Sequence, residues 1–154
     1  MANITKLPVT IIRGGTSKGV YILEDDLPAD KAAWEPLLLR LMGSPDKKQI
    51  DGLGGSQSVT SKVAIVKKSD HPGADVDYTF AQVSITDAKV DWNGNCGNIS
   101  SGVAPFAIDE SIVRAGERRA SSERDAKHQR RSLANLLLHL HLLDARTASA
   151  AWFG

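Results

Sequence analysis

All twenty valines and isoleucines of this 154-residue chain lie before residue 114, and none follows. These β-branched residues are the main strand formers, so any sheet must be built from the segment that holds them. Seven of the nine arginines fall after Val113, whereas nine of the ten lysines precede it. A β-rich domain does not normally stop using β-branched residues midway. The break therefore predicts a folded domain over 1–117 and a tail over 118–154 rich in Arg, Ala, Ser and Leu. Two readings of the tail compete. It is a basic extension with one amphipathic helix through Leu133, Leu136, Leu137, Leu140 and Leu143, irregular over 118–131. Or it is out-of-frame translation of a longer reading frame, the reading favoured by its composition. Under either, the tail cannot supply the strands of a second β-rich domain.

Charged residues make up 24% of the chain and the net charge is +1, so no global field points to nucleic acid or a membrane surface. The single cysteine, Cys96, excludes an internal disulfide framework and fits a reducing compartment, the cytoplasm. No long apolar run follows Met1, so neither a signal peptide nor a membrane span is expected.

Short strands joined by glycine turns are expected at Leu7–Arg13, Gly19–Leu23, Ser61–Lys67, Val76–Thr86 and Lys89–Trp92. Between them, Pro28–Met42 has helical spacing, with Asp25 or Asp26 near its start, Leu37, Leu38 and Leu41 on its buried side and Gly43 closing it. Pro36 should delay or kink its start. A second helix is expected to about Ile108, capped by Asn98 or Ser100, with Pro105 shortening or bending it. The sum is an α+β domain with a mostly antiparallel sheet and one apolar helix for it to wrap.

Three glycine-punctuated segments suit a small anionic ligand. Arg13-Gly-Gly-Thr-Ser-Lys-Gly19 offers backbone N–H groups, two hydroxyls and two cations, yet fails both the phosphate-loop and the dinucleotide patterns. A carboxylate clamped by the Arg13 fork is the functional reading, and a solvated hairpin turn the plain one. In Asp51-Gly-Leu-Gly-Gly-Ser-Gln-Ser-Val-Thr-Ser-Lys62, Gly54 and Gly55 allow close backbone approach. Ser56, Ser58, Thr60 and Ser61 are candidate donors there. Lys62 opens an apolar strand, where partial burial beside another cation would favour the neutral amine that a base requires.

The third segment, Asn93-Gly-Asn-Cys-Gly-Asn-Ile-Ser, runs from an open turn into an apolar stretch of helical length. Cys96 is expected at or just before a helix N-terminus, where N–H groups and the dipole favour an anion. A lone cysteine is more often a buried structural residue, but Gly94, Asn95, Gly97 and Asn98 suit an open turn rather than a packed interior. Covalent catalysis by Cys96 would need a histidine, and only His71 precedes residue 114. His139 and His141 would face different sides of a helix, so no metal set is expected. A thiol, an amine and hydroxyl donors suit removal and return of a proton next to a carboxylate or ketone.

These segments, with Gly43-Ser-Pro-Asp46, Gln49-Ile-Asp-Gly-Leu-Gly-Gly55, Asp75-Val-Asp-Tyr78 and Asn95-Cys-Gly-Asn98, resemble the PrpF-type isomerases over about Leu7 to Glu117. That family includes 2-methylaconitate cis-trans isomerase and 4-oxalomesaconate tautomerase. The Cys96 segment is worded slightly more like the tautomerases. The resemblance implies a diaminopimelate-epimerase-like fold, in which two similar domains each wrap a β-barrel-like sheet around a central helix and the active site lies between them. It implies Lys62 and Cys96 as the proton-transfer pair. It implies substrate-carboxylate contacts around Arg13, Gly14, Gly15, Thr16 and Ser17, around Gly54, Gly55, Ser56, Ser58 and Ser61, and at Asn95, Gly97 and Asn98.

The implied activity is movement or geometric inversion of a C=C bond in an unsaturated tricarboxylate, with no metal and no organic cofactor. The second domain has no counterpart after Arg114, so impaired activity is expected: an open cleft admits water and weakens stabilisation of the enolate. The alternative is a non-catalytic single-domain remnant that binds tricarboxylates or associates with another half. An exposed cleft face would favour homo-oligomers.

Overall fold

Glycine-bounded runs of Val and Ile become a single five-stranded sheet. The computed structural model describes residues 6–72 and 74–113, and the expectations for residues 118–154 lie outside them. The strands are β1 (Thr10–Gly14), β2 (Ser17–Leu23), β3 (Lys62–Lys68), β4 (Val76–Val83) and β5 (Val90–Asp91), side by side in chain order. The β1–β2, β3–β4 and β4–β5 pairs are antiparallel and β2–β3 is parallel. Parallel neighbours cannot be joined by a hairpin, so the chain between β2 and β3 makes a crossover carrying helix α1 (Trp34–Met42). The expected α+β class and mostly antiparallel sheet hold.

Side chains alternate across the sheet, and each face has its own core. On one face Val20, Ile22, Val63, Ile65, Ala81 and Val83 pack with Trp34, Leu38 and Met42 of α1. On the other, Tyr21, Ala64, Val66, Tyr78 and Phe80 pack with Ile99, Val103, Phe106 and Ala107.

Helix α1 begins late, as Pro36 requires: a 3-10 turn over Lys31–Ala33 precedes it, and Pro36 falls in the first turn, where no intrahelical N–H is missed. The cap of that 3-10 turn is Asp30, which accepts from the Ala32 N–H at 3.0 Å. Asp25 and Asp26 instead lie in a separate 3-10 turn, Glu24–Asp26. The buried stripe is Trp34, Leu38 and Met42, one side chain per turn, with Leu37 and Leu41 half-buried beside it. Gly43 ends the helix in the left-handed region (φ 78°), a conformation that favours glycine.

The expected second helix is two. A short α2 (Gly97–Ser100) and α3 (Val103–Asp109) are separated at Ser101–Gly102. Cys96 is the N-cap residue of α2, correcting the expectation of Asn98 or Ser100. The break leaves Pro105 in the first turn of α3, so it neither shortens nor bends that helix. Among the described residues no helix is long and apolar enough to cross a membrane.

Candidate active site

The strand register gathers the chemistry at one end of the sheet. Gly14 closes β1 opposite Ser17, which opens β2. Lys62 opens β3 between Gly19 of β2 and Gln82 near the end of β4. Alternation then puts Ser17, Gly19, Lys62, Phe80 and Gln82 on the face that carries α2 and α3. Cys96 packs against that same face, half-buried, with its Sγ 3.9 Å from Ser17 Oγ. Lys62 and Cys96, far apart in sequence, thus share one face and one end of the sheet.

The Gly14–Ser17 turn is fastened to the cysteine turn. Asn98 Nδ2 donates to Thr16 Oγ1 at 2.8 Å and to Ser17 Oγ at 3.5 Å. Gly14 lies so close that a Cβ there would sit 1.8 Å from the Asn98 carbonyl oxygen and 2.6 Å from Ser101 Oγ. Gly15 has a positive φ of 52°, and a Cβ there would meet the Asn98 side chain. Only glycines allow this approach. Around the thiol, Cys96 N–H donates to Asn95 Oδ1 at 2.8 Å, and Ser100 donates to the Cys96 carbonyl through both N–H (2.9 Å) and Oγ (3.0 Å). Gly97 borders open space: nothing lies within 4 Å of where its Cβ would be.

Lys62 is 9% exposed. Its Nζ donates to Gln82 Oε1 at 2.6 Å and lies 5.2 Å from the centroid of the Phe80 ring. Above these groups, Tyr21 and Tyr78 are buried, and burial pushes both phenols well above their ordinary range. Tyr21 OH donates to the Ile99 carbonyl. Tyr78 OH has no hydrogen-bond partner among the described residues. The Ser100 hydroxyl, near enough to offset its shift in part, stands outside good geometry.

The second glycine loop is organised by Gln49, which is 1% exposed. Its Nε2 donates to Ser44 Oγ (3.0 Å) and Ser61 Oγ (2.8 Å), and its Oε1 accepts from Ser56 N–H (3.0 Å). Gly54 packs on this amide and Gly55 on Thr60. Ser56 Oγ donates to the Lys48 carbonyl at 2.9 Å, so its donors are engaged within the loop. Ser61 is fully buried, and its hydroxyl donates to the Val83 carbonyl at 2.9 Å. Ser58 is exposed and its carbonyl accepts from Gln82 Nε2.

The turn residues and Cys96 are thus brought together, and Lys62 joins them on the same face. Arg13 is not: it pairs with Lys18, and alternation places both on the opposite side of the hairpin from Ser17. Its Nε donates to the Gly15 carbonyl at 3.2 Å, while Lys18 Nζ donates to the Leu53 carbonyl at 3.2 Å. Gln82 and Gln49 escaped the sequence reading. A polar residue continuing the Tyr78, Phe80 face of β4 was the available signal for Gln82, and Gln49 stood at the head of the Gln49–Gly55 motif with no local sign of its role.

A concavity of about 640 Å³ beside the β4–β5 edge is lined by Lys47, Ser56, Ser58, Gln82, Lys89 and Asp91 among others. It shares Gln82 with the Lys62 environment but includes neither Lys62 nor Cys96, so it borders the site rather than forming it. Among the described residues no group of three or more His, Cys, Asp or Glu could hold a metal ion.

The family model described as PrpF protein matches residues 4–122, and the chain belongs to that family. It is 61% identical over 117 residues to the 3-methylitaconate isomerase of Eubacterium barkeri, covering 76% of this chain and 31% of that protein. It is 55% identical over 111 residues to the 4-oxalomesaconate tautomerase of Pseudomonas putida, covering 72% and 31% respectively. A crystal structure of methylitaconate-delta-isomerase superposes with a TM-score of 0.69 at 63% identity, over 72% of this chain and 29% of that one. The chain thus spans about a third of the length of the curated relatives it matches.

Proposed function

We propose that residues 1–117 form one wall of an isomerase active site, in which Lys62 and Cys96 move a proton on an unsaturated polycarboxylate. The observation supporting this is the convergence of a buried amine and a half-buried thiol on one face and one end of the sheet, beside a glycine turn. An allylic proton leaves one carbon for one of the two groups, the electron pair spreads into the conjugated carboxylate, and the other group returns a proton to the far carbon. The Gly14–Ser17 and Asn95–Asn98 turns receive the carboxylates, with Gly97 on the open side.

The substrate class is an unsaturated polycarboxylate, broader than the tricarboxylate that the sequence resemblance implies. The names of close relatives include 3-methylitaconate, which has two carboxylates, as well as the tricarboxylate 4-oxalomesaconate. Ser61, fully buried, then serves the loop rather than the ligand, and Arg13 reaches a carboxylate only by wrapping round its hairpin. The apolar α3 packed on the sheet supports the finer diaminopimelate-epimerase-like reading, in which a facing domain closes the cleft and turnover without it is slow. A cytoplasmic location suits such a metabolite enzyme.

The second reading, a binding module without turnover, is favoured by the openness at Gly97. Proton exchange separates the two. The chain is mixed in D₂O with 3-methylitaconate, 4-oxalomesaconate or 2-methylaconitate, and deuterium uptake at the allylic carbons is followed by NMR. Uptake that falls at least about a hundredfold in Lys62→Ala and in Cys96→Ala, with affinity within about threefold, supports proton transfer. Binding without uptake supports the module. Uptake unchanged in both variants refutes the pair.

A further inference from the structure

Lys62 is held by a neutral group whose orientation is fixed. Gln82 lies opposite Lys62 in the β3–β4 ladder, and its Oε1 accepts from Lys62 Nζ at 2.6 Å. Its Nε2 donates to two backbone carbonyls, Ser61 at 2.8 Å and Ser58 at 3.1 Å. An amide nitrogen only donates and an amide oxygen only accepts. Flipping the amide would set its oxygen against two carbonyls and its N–H groups against the Lys62 donors. Three bonds at once therefore fix the oxygen toward the amine. Among the described residues the side-chain acceptor found on Lys62 Nζ is the neutral Gln82 amide and not a carboxylate.

We propose that Gln82 is a positioning residue for Lys62: its carbonyl aims the amine, and its neutrality lets that amine change protonation state. The proposal rests on Lys62 being a proton carrier, as argued above. When an allylic C–H proton passes to the Lys62 lone pair, the C–H electrons enter the conjugated system and the amine becomes an ammonium. Cys96 S–H gives its proton to the far carbon and becomes a thiolate. Transfer of the proton from ammonium to thiolate, through water, restores the starting pair. An amide oxygen accepts a hydrogen bond from amine and ammonium alike. A carboxylate in the same place would hold the ammonium and stall the cycle, since an opposite charge at this range favours the charged form by about 1–3 pH units.

The test compares Gln82→Glu with Gln82→Met in the 154-residue chain. Both lose the donors to Ser58 and Ser61, so the difference between them reports the charge rather than a shared loss of stability. With ¹³C-ε-lysine labelling and Lys62→Arg for assignment, NMR follows the protonation of Lys62. Gln82→Glu should make Lys62 hold its proton at least about tenfold more tightly than the unaltered chain, or one pH unit. Gln82→Met should show no such gain, and its two Lys62 Cε protons, distinct while the amine is held, should converge. Deuterium uptake should fall at least about tenfold in Gln82→Glu with KM within about threefold. A Lys62 midpoint in Gln82→Glu within about 0.3 pH units of the unaltered chain, or undiminished uptake, overturns the proposal. An unaltered chain that exchanges no substrate refutes the proton-carrier reading alone, and the Lys62 titration still decides whether Gln82 holds and tunes that amine.

Discussion

Replacing Gly14 by alanine should separate the hairpin turn from the cysteine turn. The added Cβ would lie 1.8 Å from the Asn98 carbonyl oxygen and 2.6 Å from Ser101 Oγ. Ordinary contact needs roughly 1.5 Å more room, and the first obstacle is backbone on a helical turn, which cannot rotate away. Overpacking of this kind costs about 1–3 kcal/mol. The shift also strains the Asn98–Thr16 hydrogen bond at 2.8 Å, which adds about 0.5–1.5 kcal/mol. The expected total is about 3 kcal/mol, a large share of the roughly 5–15 kcal/mol that holds a domain together. Urea unfolding should show it as a midpoint lowered by about 1–2 M at unchanged slope.

Gly97→Ala is the matched control, because nothing lies within 4 Å of its Cβ position. It should leave stability unchanged or raise it by up to about 1 kcal/mol, since alanine costs less entropy than glycine in a helix. If Gly14→Ala stays within about 0.5 kcal/mol of the unaltered chain, or Gly97→Ala falls as far, the close approach of the two turns is refuted.

Two further perturbations read the interior. Tyr21 and Tyr78 are the only tyrosines, and burial raises both phenols. Their contribution to stability is therefore complete below the unfolded value of about 10 and lost as pH rises beyond it. Tyrosinate absorbance should be absent near pH 10 and appear for both rings together with unfolding, and a smooth titration there with circular dichroism retained would contradict their burial. Ser61→Ala removes the donor to the Val83 carbonyl and an acceptor for Gln49 Nε2, both buried, and should cost about 2 kcal/mol in urea unfolding. A loss below about 0.5 kcal/mol would contradict the burial of these two bonds.

Local rules read well from the residues alone. Gly43 ended α1 because a left-handed C-terminal position favours glycine, and Pro36 delayed its start for lack of an N–H. Continuous apolar runs rich in Val and Ile marked β2 and β3, and alternating Val, Tyr and Phe marked β4, each to within a few residues, since unbroken apolar runs suit strands covered on both faces. The glycine turns were visible as candidate ligand-binding segments, and the lone cysteine as a thiol in an open turn before a helix.

What the chain does with those pieces was decided in three dimensions. Nothing local says that β2 and β3 pair in parallel, yet that register sets Gly19 beside Lys62 and so puts Lys62 on the face of Cys96. The helix after Cys96 splits at Ser101–Gly102, where a Cβ on Gly102 would meet the Tyr21 hydroxyl, a contact made by a strand far away in sequence. Arg13 reads as a carboxylate clamp in sequence, and only strand alternation shows it on the other side of its hairpin from Ser17. The roles of Gln49 and Gln82 could not be read from sequence, because an amide has meaning only through its partners. For Gln82 those partners, Lys62 and two backbone carbonyls, are set by the pairing of β3 with β4. Residue type sets what each position can do, and long-range pairing decides which groups it can do it to.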